Sequence, residues 1–208
     1  MLPALPENSV HTETLALLSI TADDIAVVGI DEALVCEELM VTTAFDLWSV
    51  SPFCHHAAQF LTRHLPPPRG DATTFGRIFL RPRAAPGRLS NFDAIAPLLE
   101  RHGFACVFIE DLLLRQRIAI MRQARVVVAE HGPPLAHMLF APMGAMVLKL
   151  VAPGGLQPMF WSLASVVGLE HGTLVGDDDG DGRFRVAPEV LSAVLDQMFR
   201  AEGALTAV

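Results

Sequence analysis

The stretch ARVVVAEHGPPLAHMLFAPMGAMVLKL, Ala124 to Leu150, constrains this chain more than any other. Val126, Val127, Val128 and Ala129 form an apolar run too short for a helix of its own and rich in β-branched residues, so it reads as a buried strand. Glu130-His131-Gly132-Pro133 reads as a turn. Pro134 to Phe140 reads as a short helix, because proline is tolerated in a first turn whose N–H groups lack intrahelical partners. Ala141-Pro142-Met143-Gly144 ends that helix, and Ala145 to Leu150 is a second apolar run. Strand, turn, helix, strand is the parallel βαβ unit. In sheets built from such units, ligands sit beyond the carboxyl ends of the strands, where His131 and Gly132 fall.

The rest of the chain repeats the alternation. Arg77–Leu80, Ala105–Ile109 and Leu169–Val175 read as strands. Ser90 is placed to cap a helix ending near His102-Gly103, with Asp93 completing a capping box and Ile95, Leu98 and Leu99 at helical spacing. Leu112–Gln123, a segment from Gln157 or Pro158 to Val167, and a segment after Pro188 carrying Val190, Leu191, Val194, Leu195 and Met198 read as further helices. This predicts an α/β fold with a doubly wound, mostly parallel, Rossmann-like sheet covered on both faces. Residues 1–14 read as a loosely held arm, and Leu15–Ile20 as a short helix or strand. Ile25–Ile30 reads as a buried strand able to pair with Leu34–Val41 as a hairpin. A helix starting at Ser51-Pro52 runs to about His64. The run LPPPRGD, Leu65–Asp71, is the clearest linker. The expected organisation is a smaller, partial amino-terminal α/β region over 1–70 and a Rossmann-like domain over 71–208.

Charge and composition exclude some roles. The 208 residues carry a formal net charge of −8, which argues against nucleic acid as a general partner. Hydrophobic residues make up 51% and the mean hydropathy is +0.41. The longest uncharged run, Leu150–Leu169, is broken by Pro153, Gly154, Gly155 and Pro158, so no transmembrane span is expected. The amino terminus lacks the pattern of a secretory signal. The expectation is a cytoplasmic protein whose apolar excess is covered by a partner, a second copy or a lobe outside this chain. Cys36, Cys54 and Cys106 are scattered and read as buried thiols rather than a disulfide frame or zinc site. The run Asp177–Gly182 lacks the alternating ligands and closing Glu of a calcium loop and reads as a solvated turn. His55-His56 reads as a helix edge, since adjacent helical residues point about 100° apart. No metal is expected.

Several side chains could bind a ligand. Arg81, Arg83 and Arg88 follow the first strand of the regular region and offer forked donors to a diphosphate, or are surface arginines of a proline-containing loop. His131 could donate to a phosphate oxygen, act as a general base, or hold its own turn. Gln116 is a helix residue whose amide reaches a nearby turn. Asn91 lies at a helix start, where its ordinary role is a local hydrogen bond.

Gln116, Ala124, Val126–Val128, His131, Gly132, Leu135, Leu139, Phe140, Pro142, Gly144 and Val147 together resemble the signature of glycosyltransferase family 61. That family includes plant xylosyltransferases, an O-GlcNAc transferase acting on EGF domains, and bacterial polysaccharide enzymes. His137 stands where the family usually has Asn. The resemblance extends to Arg81, Arg88 and Asn91, and covers roughly residues 76–175. It implies the donor lobe of a two-lobed GT-B enzyme that transfers a sugar with inversion and without a cofactor. The donor would be a nucleotide-sugar such as a UDP-sugar, and the acceptor a glycan or protein. It implies donor binding by Arg81, Arg83, Arg88, Asn91, Gln116, His131, Gly132, Leu135, His137 and Lys149, and leaves the catalytic base unnamed. Two departures stand out. Pro133 and Pro134 replace small residues and lack N–H groups, leaving the amides of Leu135 and Ala136 as donors. Lys149 replaces a Glu, and an ammonium accepts no hydrogen bond. The departures motivate an alternative: a non-catalytic member of the same fold acting as an assembly or regulatory partner, possible as a homo-oligomer.

Overall fold

The computed structural model describes residues 10–40, 52–65, 75–82 and 89–205, with backbone alone for 52–54 and 201–205. In chain order the main elements are α1 (Val10–Leu17), α2 (Pro52–His64), β1 (Arg77–Leu80), α3 (Phe92–Arg101), β2 (Ala105–Val107) and α4 (Leu114–Met121). Then come β3 (Val126–Glu130), a 3₁₀ helix (Pro133–Phe140), β4 (Met146–Val151), α5 (Met159–Val167), β5 (Glu170–Val175), β6 (Asp177–Asp178), β7 (Phe184–Arg185) and α6 (Pro188–Leu205).

Five strands form a parallel sheet in the order β2-β1-β3-β4-β5. The chain steps from β1 outward to β2, returns past β1 to β3, and then runs outward through β4 and β5. The winding therefore reverses between β1 and β3, which is the place where such sheets open a crevice at their carboxyl ends. β3 is central, and all five of its residues are buried, as a strand covered on both faces requires. Alternate residues serve two separate cores. Ile78, Leu80, Val127, Ala129 and Val147 pack under α4, the 3₁₀ helix and α5. Phe79, Val126, Val128, Leu148 and Leu150 pack with α3, β7 and α6. Truncating a fully buried member such as Ile78 to alanine costs about 2–5 kcal/mol.

The amino-terminal part differs from expectation. Among the described residues of 1–70 there is no strand. Residues 25–40 are largely exposed, with Ile30 at 99% and Val35 at 93%. A strand must hand its backbone groups to a neighbour, and none is offered here. Local bonds take over instead: Glu32 turns back so that its carboxylate accepts the Gly29 N–H at 2.8 Å. α2 forms as expected, but Leu61 and Leu65 join the core that lies under α4, the 3₁₀ helix and α5, so this helix packs against α5 and the 3₁₀ helix. Residues 66–74, across which a boundary is expected, lie outside the described residues.

Smaller corrections follow from tertiary contacts. β2 stops at Val107, and Ile109–Asp111 turns as a 3₁₀ helix. α3 has Asn91 at its cap position with no side-chain cap bond, so the expected Ser90–Asp93 capping box does not form. Cys36 and Cys106 are exposed rather than buried. The acidic run is not a turn throughout: Asp177–Asp178 form β6 of a two-stranded antiparallel ribbon with β7, and the residues after them make its turn. Among the described residues no three His, Cys, Asp or Glu side chains converge as a metal cage, and no helix is long and apolar enough to cross a membrane.

Candidate functional site

The register Leu80↔Ala129 sets Arg81 beside Glu130, with His131 one residue further on. These residues therefore meet at the winding reversal, at the carboxyl end of the sheet. The alternation of the strands sends them to different faces. Arg81 and Glu130 lean toward α3, whereas His131 leans toward α5.

Arg81 is half-buried, and its backbone N–H bonds the Val107 carbonyl at 3.0 Å. Its guanidinium lies 3.9 Å from the centre of the Phe92 ring and 5.7 Å from that of Phe108. Aromatic faces attract a cation without neutralising it. Among the described residues no carboxylate pairs with Arg81. A guanidinium held in this way at this end of the sheet, with no carboxylate paired to it among the described residues, suits an anion. Arg83 and Arg88 lie outside the described residues.

Glu130 is the residue that sequence reasoning missed. It is only 5% exposed, and its carboxylate accepts the Leu89 N–H at 3.1 Å. The signal was present: a charged residue closing an otherwise apolar strand has to be held by something. The clasp continues through the next two residues. Ser90 donates both its N–H and its hydroxyl to the Phe184 carbonyl. Asn91 accepts the Val186 N–H at 3.0 Å and donates to the Val186 carbonyl at 2.8 Å. Both ends of the Asn91 amide are thus engaged with one backbone residue, which makes it a clamp between α3 and the segment before α6.

His131 is half-buried. Its N–H bonds the Leu150 carbonyl at 2.8 Å, and its ring stands edge-on to Phe160 of α5, 5.3 Å between centres. Gly132 has φ 164°, an extended conformation open to any residue, and a Cβ there would meet only Pro134 Cδ at 3.6 Å. The fold itself does not demand glycine at this position.

The expected donors at the following helix are largely absent. Leu135 is fully buried, and its N–H bonds the Gly132 carbonyl at 3.1 Å. In a 3₁₀ helix bonds run from residue i to i+3, so the first two residues alone would offer free N–H groups. Here those two are Pro133 and Pro134, which have none. The amides of Leu135 and Ala136 therefore do not form the expected anion site.

His137, Gln116 and Lys149 each make a hydrogen bond within the protein. His137 donates from Nδ1 to the Pro134 carbonyl at 3.1 Å, and burial, aided by the charge of Arg117, holds its pKa below the usual histidine value. Gln116 accepts the Leu113 N–H at 2.9 Å, capping α4. Lys149 is 2% exposed, and its ammonium donates to the Gln157 carbonyl at 3.1 Å in the loop before α5. Burial lowers its pKa. Beside it, burial and then the Lys149 charge push the His171 pKa down to about 4. His171 Nε2 is buried with no hydrogen-bond partner among the described residues.

A cavity of about 580 Å³ lies elsewhere. It lies between α2 and the carboxyl ends of α4, the 3₁₀ helix and α5, at the amino ends of β3–β5. The expected chemistry and this cavity sit at opposite ends of the sheet.

The family model described as Glycosyltransferase 61 matches residues 1–148. No curated protein matches the chain.

Proposed function

Because this chain belongs to glycosyltransferase family 61, we propose that it transfers a sugar from a nucleotide-sugar donor to a glycan or protein acceptor in polysaccharide assembly, its sheet serving as the donor lobe of a GT-B architecture. One observation carries the reading. At the winding reversal between β1 and β3, the Arg81 guanidinium is held by Phe92 and lacks a carboxylate partner among the described residues. A donor diphosphate would supply that negative charge. His131, one step beyond the end of β3, would face the same ligand from the α5 side. Glu130 would hold the returning backbone at Leu89 in place. The reaction would proceed with inversion, and the general base is not assigned to any residue here.

Titration calorimetry with UDP and several UDP-sugars tests the reading. Binding should appear, and Arg81→Ala should weaken it by about 10- to 100-fold, the worth of a charge-assisted hydrogen bond. His131→Ala should weaken it less. Silence with every nucleotide at millimolar concentration would overturn the reading.

The donor-free amino end of the 3₁₀ helix favours a second one. Pro133 and Pro134 remove the backbone groups that would cradle a phosphate. A chain of this kind would serve as a non-catalytic assembly partner. It would bind no nucleotide and form a dimer whose population does not fall on dilution.

A further inference from the structure

The cavity at the amino ends of β3–β5 is separated from the crevice by the length of the sheet, roughly 15–20 Å for strands of this size. Its volume of about 580 Å³ falls within the range of small-molecule sites, about 300–1,000 Å³. Leu139, Phe140, Pro142, Val166 and Val167 line it with apolar surface. The neutral polar groups of the lining are engaged with the protein. His55 Nδ1–H donates to the Val166 carbonyl at 3.1 Å, and Nε2 accepts from Gln59 at 2.7 Å. The hydroxyl protons of Thr62 and Ser165 go to the carbonyls of Gln59 and Trp161.

Arg122 is different. Its Nη2 donates to the carbonyls of Thr62, at 2.6 Å, and Leu65, at 3.0 Å, and this fixes the guanidinium against α2. Nε and Nη1 have no acceptor among the described residues, and no carboxylate pairs with the charge. The lining thus presents one oriented cation with three N–H groups to offer, beside neutral polar side chains already bonded to the protein and an apolar wall of Leu139, Phe140, Pro142, Val166 and Val167. A nucleotide diphosphate would call for more charge. A bare sugar would leave most of its hydroxyls facing carbon. An amphipathic anion satisfies both parts.

We propose that this cavity binds such a molecule: a single carboxylate or phosphate monoester on Arg122, with its apolar tail along Leu139, Phe140 and Val167. The site is independent of the transferase reading and stands or falls without it.

The test is titration calorimetry with decanoate and decyl phosphate, each below its micelle-forming concentration, against decyltrimethylammonium as the cationic control. Both anions should bind and the ammonium should not. Arg122→Gln should weaken binding by about 10- to 100-fold, the worth of a hydrogen bond to a charged group. Because Arg122 also ties α2 down, Ala141→Phe is the second variant. It fills the cavity, leaves the Arg122 bonds intact, and should abolish binding while thermal unfolding stays cooperative. Pelleting with vesicles containing phosphatidic acid, a lipid whose head group is a phosphate monoester, separates the two sources of the anion. Pelleting of wild type but not of Ala141→Phe assigns the head group to a membrane lipid. Decanoate binding without pelleting assigns it to a free molecule. Absence of heat with both anions, equal binding of the ammonium, or full binding by folded Ala141→Phe would overturn the proposal.

Discussion

Replacing Lys149 by methionine should stabilise the protein. The ammonium is 2% exposed, lies among the apolar residues under α5, and has one acceptor, the Gln157 carbonyl. Moving a charge out of water carries an effective penalty of several kcal/mol even after relaxation. Against this stands one hydrogen bond to a charged group, worth about 1.5–3 kcal/mol. Gln157 is exposed, so its carbonyl can turn to water once the ammonium is gone. Methionine fills nearly the same linear space and preserves the packing of the stem. The expected gain is about 1–3 kcal/mol. At roughly 2–4 °C per kcal/mol for a chain of this size, the melting temperature should rise by about 2–12 °C. The pH dependence has a fixed sign. A lysine with a lowered folded pKa carries its full cost below that pKa and sheds it as pH rises toward 10.5, so the advantage of Lys149→Met should shrink in alkaline buffer. Calorimetric melts at pH 7 and pH 10 measure both effects. A lower melting temperature for Lys149→Met at pH 7 would refute the reasoning, because it would make the buried ammonium a net support of the fold.

The same charge reaches His171, so Lys149→Met should raise the His171 pKa from about 4 while burial still keeps it below 6.5, as a histidine titration followed by NMR would show. Between pH 6.5 and about 4 the unfolded chain takes up a proton that folded His171 refuses; stability should fall across that window, and His171→Leu should flatten the fall in a series of melts. Asn91→Ala removes both bonds to Val186 and leaves a part-buried N–H unsatisfied, so denaturant titration should show a loss of about 2–3 kcal/mol, with Asn91→Asp keeping the acceptor half and losing less. A Cβ on Gly176 would stand 2.4 Å from the Arg185 carbonyl oxygen and 2.6 Å from Phe184 Cδ2, so Gly176→Ala should destabilise by about 1–3 kcal/mol in the same assay and disturb the β6–β7 ribbon.

The central sheet was legible because its signals are local. Val126–Ala129 is apolar and β-branched, Ala145–Leu150 is apolar except for Lys149, the Gly and Pro residues between them punctuate the unit, and both became buried strands. The alternation of elements led directly to the doubly wound sheet. What the sequence hid depends on residues far apart along the chain. Ile25–Ile30 has the composition of a strand but no partner in the described fold, and composition carries no information about partners. Ser90 and Asn91 looked like helix-capping residues, yet the backbone of Phe184 and Val186 lies beside them and takes their bonds. His131 and His137 are six residues apart, but the 3₁₀ helix carries His137 toward Arg117. Lys149 could be read as facing phosphate, because strand alternation gives a side chain its face and not its depth. The Arg122 cavity was invisible, since α2 and the ends of three other elements assemble it from separate parts of the chain.

The most direct test of the donor-site account is to titrate isotopically labelled protein with UDP and follow the backbone amides by NMR. The account predicts that Arg81 and the residues from Glu130 to Gly132 shift first and furthest, and that Arg81→Ala suppresses these shifts. Shifts confined to Leu139–Met143 and Val166–Gly168, or none at saturating UDP, would contradict it.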